Sequence, residues 1–236
     1  MTTALNPMVE DALIEHLLQF VTPEKRSRME SVLARRTSHV QVVLEDIFQP
    51  HNASAVMRSC ECFGIQHLHV VEDRYPYSLN REVAMGASNW INLHRYRDPG
   101  HGNSRACIRH LKSRGLRLVA TCLSADDIPM EELPLDRPLA LWFGTEEDGL
   151  SETVLEAADL KVRIPMYGFT QSFNLSVCAA ICLHDIRRRL MESTVPWALS
   201  AEEKRSVLRL WLGNAVRNAG IIERTFLLRH DTSPDP

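Results

Sequence analysis

No stretch of the 236 residues approaches 18 consecutive apolar positions, so the sequence offers no helix able to cross a membrane. The first twenty residues carry acids within their apolar stretch and no basic leading segment, which is not the pattern of a signal peptide. No C-x-x-C spacing occurs among the six cysteines, Cys60, Cys62, Cys107, Cys122, Cys178 and Cys182. Cys178 and Cys182 share a helix face, but no neighbouring histidine completes a tetrahedral set, so no metal site is expected. The thiols read as core residues of a reducing, cytoplasmic compartment. No G-x-G-x-x-G follows a strand and no phosphate-binding G-x-x-x-x-G-K-[ST] is present, which disfavours nicotinamide and nucleotide-triphosphate sites. There are no internal repeats. Nor is there a large charge excess: 27 Lys and Arg against 30 Asp and Glu give a formal net charge of −3. That excludes a histone-like polycation but leaves room for a local basic face.

What is present is an ordinary globular composition, 44% apolar and 24% charged. Residues 8–20 predict an amphipathic helix. Thr22-Pro23-Glu24 opens a second, running to about Arg36, with a hydroxyl cap, an early proline and a carboxylate at the positive end. This second helix sets Lys25, Arg26, Arg28, Arg35 and Arg36 against Glu24 and Glu30. The chain then alternates. Strands are expected at 40–45, 67–71, 91–96, 116–121, 139–143 and 160–164, and helices at 51–63, 104–114 and 172–190. Strand, helix, strand at this spacing means βαβ units and a mainly parallel sheet covered on both faces, an α/β fold. Ser200 to Glu203 fits a capping box, with a last helix over 200–219 stopped by Gly220. The organisation read from this is a basic helical extension (1–37), an α/β domain (38–191), and a C-terminal helical extension with a frayed tail (192–236).

Three segments carry chemistry. In the first, a strand ends and Pro50-His51-Asn52 opens a helix, with Asn52 as its expected cap. Ala53, Val56 and Cys60 form the buried stripe. Ser54, Arg58 and Glu61 lie on another line, so Arg58 projects off the core near the C-terminal edge of the sheet, where open α/β sheets bind ligands. Its alternative is an Arg58–Glu61 surface ion pair. The second segment, Phe143-Gly144-Thr145-Glu146-Glu147-Asp148-Gly149-Leu150, follows a strand. Its two glycines bracket acids, as in a ligand-cradling loop or a plain turn. The third runs from Ile164-Pro165-Met166 through Gly168 to Ser172-Phe173-Asn174-Leu175-Ser176, a strand end, a loop and a helix start. Its serines and asparagine favour helix starts, either for capping alone or for a neutral heterocycle edge.

Together these segments resemble the SpoU family of RNA 2′-O-ribose methyltransferases. The family pattern N-x-x-A-x-x-R, F-G-x-E-x-x-G-[LIV], I-P-M-x-G-x-x-x-S-L-N-[VL]-S reads here as 52–58, 143–150 and 164–176, in order over residues 40–190. Pro50-His51-Asn52, the basic helix ending Leu33-Ala34-Arg35-Arg36, and Arg187-Arg188-Arg189 point to the branch acting on the D-loop guanosine at tRNA position 18. The resemblance implies an α/β sheet with a C-terminal trefoil knot (the SPOUT fold), a homodimer, and S-adenosylmethionine as cofactor. It implies that Thr121, Gly144, Ile164, Met166 and Phe173 hold the cofactor. It places Arg58 at the 2′-hydroxyl, with Asn52 orienting it, Glu146 and Asn174 organising the pocket, and Ser172 steadying the loop. Arg26, Arg28, Arg35, Arg36, His51, Arg187, Arg188 and Arg189 would meet tRNA phosphates. A guanidinium is always protonated at ordinary pH, so polarising a developing alkoxide suits Arg58 better than taking the proton. The sequence departs from the family at Phe173, where an aliphatic residue is usual, and at Glu147-Asp148, where a lysine is common. Other functions compatible with the sequence are 2′-O-methylation of ribosomal RNA or the tRNA wobble ribose, and a non-catalytic RNA-binding or assembly role.

Overall fold

The computed structural model describes residues 6–100, 102–124 and 126–231. The chain divides into two compact units, residues 37–198 and a second unit of 6–36 with 199–231. The two terminal extensions, read separately from the sequence, thus form one helical unit. It comprises α1 (Pro7–Leu18), α2 (Pro23–Leu33), and two C-terminal helices that follow the elements of the larger unit.

In the larger unit seven strands form one sheet: β1 (Val40–Glu45), β2 (His67–Val71), β3 (Asn92–Tyr96), β4 (Arg117–Thr121), β5 (Ile128–Pro129), β6 (Leu139–Phe143) and β7 (Leu160–Arg163). Their order is β3-β2-β1-β6-β4-β7-β5, and every neighbouring pair is parallel. The helices are α3 (Pro50–Cys62), α4 (Arg81–Ala84), α5 (Asn103–Ser113), α6 (Glu152–Ala157) and α7 (Leu175–Glu192). Side chains alternate across the sheet. Val42, Leu44, Leu141 and Phe143 face α3 and α7, while Val43, Ala140 and Trp142 face α5 and α6. This is the three-layer packing that continuous apolar strands require, since both faces must be covered. The chain leaves β1 toward β2 on one side, and β6 pairs with β1 on the other. The crevice beyond the C-terminal ends of β1 and β6 is therefore the topological switch point, where such sheets bind ligands.

In the smaller unit α8 (Ala201–Ala215) starts with the expected capping box of Ser200 and Glu203. The helix stops at Ala215, however, and Asn218 turns the chain at φ 59° into α9 (Ala219–Asp231). Gly220 lies inside the first turn of α9 and is no stop signal. The stretch 231–236, expected to fray, lies outside the described residues apart from its first position. Among the described residues no helix is long and apolar enough to cross a membrane.

The outer strands carry a buried histidine layer. His69 Nε2 lies 2.7 Å from Gln41 Oε1 and its Nδ1 3.1 Å from the Tyr96 hydroxyl. Its ring stacks on His94 at 4.4 Å, with His67, His110 and Arg114 also close. Burial first, then the neighbouring His94, pushes His69 down to about 2. Burial, then His110 and Arg114, pushes His94 down to about 4. Both rings are neutral when folded but bind protons below about 6.5 when unfolded. Their contribution to stability is complete above that pH and is lost as pH falls toward the folded values. The urea midpoint is expected to fall steadily between pH 7 and pH 5, and an unchanged midpoint would contradict this account.

Candidate active site

Three chain segments meet at the switch point. The first leaves β1, where Asp46 adopts a left-handed φ of 54°. Its carboxylate accepts the backbone N–H of Asp73 at 2.8 Å and of Arg74 at 2.7 Å. α3 then starts earlier than expected. Gln49 is the cap residue, without a side-chain bond, and Pro50 takes the first turn. Asn52 is therefore not the helix cap, and its side chain, 4% exposed, is free to act in the crevice. The second segment is the loop after β6. Thr145 and Gly149 bridge it closed through two backbone bonds of 3.0 and 3.1 Å. A Cβ at Gly144 would overlap the Gly149 carbonyl, so only glycine permits this closure. Glu45, at the end of β1, accepts from Ser151 N at 2.8 Å, from Ser151 Oγ at 2.7 Å and from Ser104 Oγ, locking the far end of the loop. Glu45 and Asp46 open the first segment, where sequence alone assigns them no role; two adjacent acids closing an apolar strand are the available signal.

The third segment joins β7 to α7. The helix begins at Leu175 rather than 172, and Asn174 caps it by accepting from Ser176 N at 2.9 Å. Capping uses only the Asn174 oxygen. Its Nδ2 donates to Glu146 Oε1 at 2.8 Å and to Asn52 Oδ1 at 3.2 Å. Asn52 Nδ2 donates to the same Glu146 oxygen at 2.8 Å, as does Leu175 N at 3.2 Å. One carboxylate oxygen of the second segment thus gathers Asn52 from the first and Asn174 and Leu175 from the third. Asn174 therefore caps the helix and also ties it to Glu146 and Asn52.

A cavity of ≈ 320 Å³ opens on one side of this cluster of amides, lined by Thr121, Gly144, Ser172 and Phe173 among others. A smaller one of ≈ 50 Å³ shares Thr121, Ser172 and Phe173 and adds Ile164 and Met166. All five residues expected around a cofactor are therefore brought together. Thr121 Oγ1 donates to the Trp142 carbonyl at 2.8 Å and ties β4 to β6 at the cavity floor. Cys122, Cys178 and Cys182 also line the smaller cavity. The Cys182 thiol donates to Cys178 and holds it below the usual thiol range, while Cys182 itself is raised well above it. Among the described residues no group of three His, Cys, Asp or Glu has a metal-holding arrangement.

Other expected residues sit elsewhere. Arg58 is exposed on α3 and, among the described residues, makes neither the Glu61 ion pair nor any other hydrogen bond or salt bridge. Six residues along a helix is about 9 Å and roughly 120° of azimuth, so Asn52 points inward and Arg58 outward. Ser54 is buried and accepts from Asn80 N at 2.9 Å, so its line on the helix is not a shared site face. Arg36, expected at phosphates, is 1% exposed and lies 5.3 Å from the Trp211 ring centre. Arg187 stacks 4.0 Å above Trp197, and burial lowers its pKa. Arg189 donates to Asp185, Leu133 O and Met130 O. Burial removes Arg36 from contact with a phosphate, while Arg187 and Arg189, half-buried, are held by partners within the fold. Arg188 is exposed but paired with Asp185 and Glu192. Arg26, Arg28, Arg35 and His51 are all exposed, and Arg26 is paired with Glu30 and Glu15.

The family model described as the SpoU rRNA Methylase family matches residues 39–184. The chain belongs to the SpoU family. It is 44% identical over 207 residues to a tRNA (guanosine(18)-2′-O)-methyltransferase of Borreliella burgdorferi, covering 88% of this chain and 93% of that one. It is 35% identical over 172 residues to the enzyme of the same name from Thermus thermophilus, covering 73% and 86%. Among solved structures, the A. aeolicus TrmH/SpoU tRNA modifying enzyme superposes with a TM-score of 0.71 at 30% identity, covering 82% of this chain and 98% of that one. The SpoU match spans all three segments that converge on Glu146.

Proposed function

We propose that this protein transfers a methyl group from S-adenosylmethionine to a ribose 2′-hydroxyl of tRNA, at the D-loop guanosine of position 18. The observation that carries the reading is the convergence of Asn52, Asn174 and Leu175 N on Glu146 beside a cavity of ≈ 320 Å³. The likeness of nearly the full chain to curated enzymes of that activity supports it. The cavity lining fits the cofactor. Phe173 and Leu150 offer apolar surface to a purine, and Thr121 and Ser172 offer hydroxyls. S-Adenosylmethionine, when bound, supplies an electrophilic methyl group. The chain's own residues must align the hydroxyl and stabilise the charge that develops on its oxygen. Glu146 holds the two asparagines, which orient the ribose. Arg58, an exposed cation of the same helix without a hydrogen bond or ion pair among the described residues, polarises the hydroxyl of an RNA that reaches it across the helix start. A phosphate oxygen of the RNA takes the proton.

The RNA backbone meets the exposed Arg28, Arg35 and His51, contacts that position without reading sequence and weaken with salt. The family's trefoil knot accounts for the path between β7 and α7: Arg189 of α7 reaches the carbonyls of Met130 and Leu133, so that segment lies against the helix. Exposed Val177 and Ile181 of α7, with Tyr167 and Phe169 before it, supply apolar surface for a second copy of the chain. A monomer in sedimentation equilibrium would remove that part of the reading. The site of action is the cytoplasm, where tRNA is modified.

The deciding experiment is methyl incorporation by the purified protein into total RNA from cells lacking it, followed by mass-spectrometric mapping. Transfer to guanosine 18 of tRNA is expected. Transfer to ribosomal RNA or to the wobble ribose would replace the substrate, and absence of cofactor binding in calorimetry would return the chain to a non-catalytic RNA-binding role.

A further inference from the structure

A second cavity, of ≈ 280 Å³, opens on the other side of the Glu146 loop. Asn52 and Glu146 line it, so it adjoins the positions that orient the ribose. Thr145, Glu147, Asp148 and Leu175 line both cavities, but Phe48 and Tyr75 line this one and not the cofactor side. Phe48, 69% exposed, and Tyr75, 37% exposed, stand edge to face at 5.1 Å with their planes at 67°. Large exposed aromatics are costly, and a pair at one cavity mouth calls for a ligand. The pair is also braced. Asp46 accepts the N–H of Arg74, and the Arg74 guanidinium lies 5.7 Å from the Tyr75 ring centre while donating to Asp148 at 2.9 Å. Asp148 is thereby committed. Glu147 is not: its carboxylate is exposed, lines the same cavity, and among the described residues has no hydrogen bond or ion pair.

We infer that this cavity receives the guanine of the target nucleotide, stacked on Phe48 and Tyr75, with Glu147 accepting from its N1–H and 2-amino group. The inference rests on the proposed methyl transfer and adds the base-reading residues to it. A nucleotide whose ribose is to be reached must leave its stack, and an extruded base is held by aromatic faces and read on its Watson–Crick edge. Guanine alone among the four bases presents two adjacent donors on that edge, the match for a carboxylate that only accepts. Adenine and cytosine would set a ring-nitrogen acceptor against it. This also gives the acidic Glu147 a purpose beside an RNA.

The test compares wild type, Glu147→Gln, Phe48→Ala and Tyr75→Ala on tRNA transcripts carrying guanosine, inosine or adenosine at the accepting position. Calorimetry with S-adenosylmethionine is run on each variant. Wild type is expected to prefer guanosine to adenosine by about 10- to 100-fold in kcat/KM, with inosine between, the worth of one paired base edge. Glu147→Gln should reduce that preference at least tenfold with cofactor affinity intact. Phe48→Ala should raise the KM for RNA by about 10-fold, the scale of one lost stacking contact, with kcat retained. An unchanged base preference in Glu147→Gln overturns the inference, and weakened cofactor binding alongside it would assign Glu147 to the cofactor instead. Saturation-transfer NMR with 5′-GMP and 5′-AMP judges the pocket without any RNA. A GMP signal that fades in Phe48→Ala supports the pocket even where no tRNA is methylated, an outcome that sinks the functional reading alone. Equal signals from the two nucleotides overturn the pocket.

Discussion

Glu146→Ala is expected to lower kcat for tRNA methylation by about 100-fold while the protein stays folded. Its Oε1 is the shared acceptor for Asn52, Asn174 and the Leu175 N–H. Without it Asn52 Nδ2 retains only Gln49 at 3.2 Å, and Asn174 Nδ2 only Asn52 at 3.2 Å. Three segments far apart in sequence then lose their common fixed point. A displacement of about 1 Å at a reacting group costs about 10²-fold in rate. The cost in stability is much smaller, because Glu146 is solvent-exposed and water can replace a carboxylate there. Thermal melting therefore separates the two effects: a shift of a few degrees beside a 100-fold fall in kcat identifies a positioning residue. Glu146→Gln keeps an oxygen for the same donors and should recover part of the loss. An alanine variant turning over at the wild-type rate would remove Glu146 from the centre of the site.

This centre was half legible in the sequence, for a physical reason. The strands could be read because parallel strands covered on both faces must be continuously apolar, as 40–45 and 139–143 are. The loop at Gly144 could be read because close backbone approach demands glycine. The residue types of the site were likewise visible, as asparagines at two helix starts and a glutamate between two glycines, although capping alone would also account for the asparagines. Their mutual geometry was not, because it depends on β6 inserting beside β1 and on the exact start of α3. A shift of the cap from Asn52 to Gln49 converts Asn52 from a backbone cap into a side chain aimed at Glu146. The basic residues were misread for a different reason. Arginine counts as solvated by default, yet Arg36 and Arg187 bury their guanidinium groups against tryptophans 175 and ten residues downstream, which no local pattern announces. Similarly, the pause at Val216–Asn218 looked like a terminus because a glycine followed it.

Arg58→Ala is expected to reduce methyl transfer by about 10²- to 10³-fold, the usual loss when a preorganised donor to a developing oxyanion is removed. Nothing in the folded protein accounts for such a loss otherwise. Arg58 is exposed, makes no hydrogen bond or ion pair among the described residues, and lines neither cavity assigned to the cofactor. Its replacement should leave stability within about 0.5 kcal/mol and S-adenosylmethionine affinity unchanged. Arg58→Lys then separates the two chemical roles open to a cation. If the side chain takes the proton, the lysine variant must first lose its own, and its rate should climb tenfold per pH unit from 7 toward the amine's ordinary value near about 10.4. If the side chain stabilises the alkoxide by its charge, the lysine variant recovers part of the activity at pH 7, with no such climb, because its charge is constant there. The second outcome is the expected one, since a fixed cation where negative charge develops is the commoner source of catalysis. Wild-type methylation by Arg58→Ala would exclude both roles and leave the two asparagines to do the work.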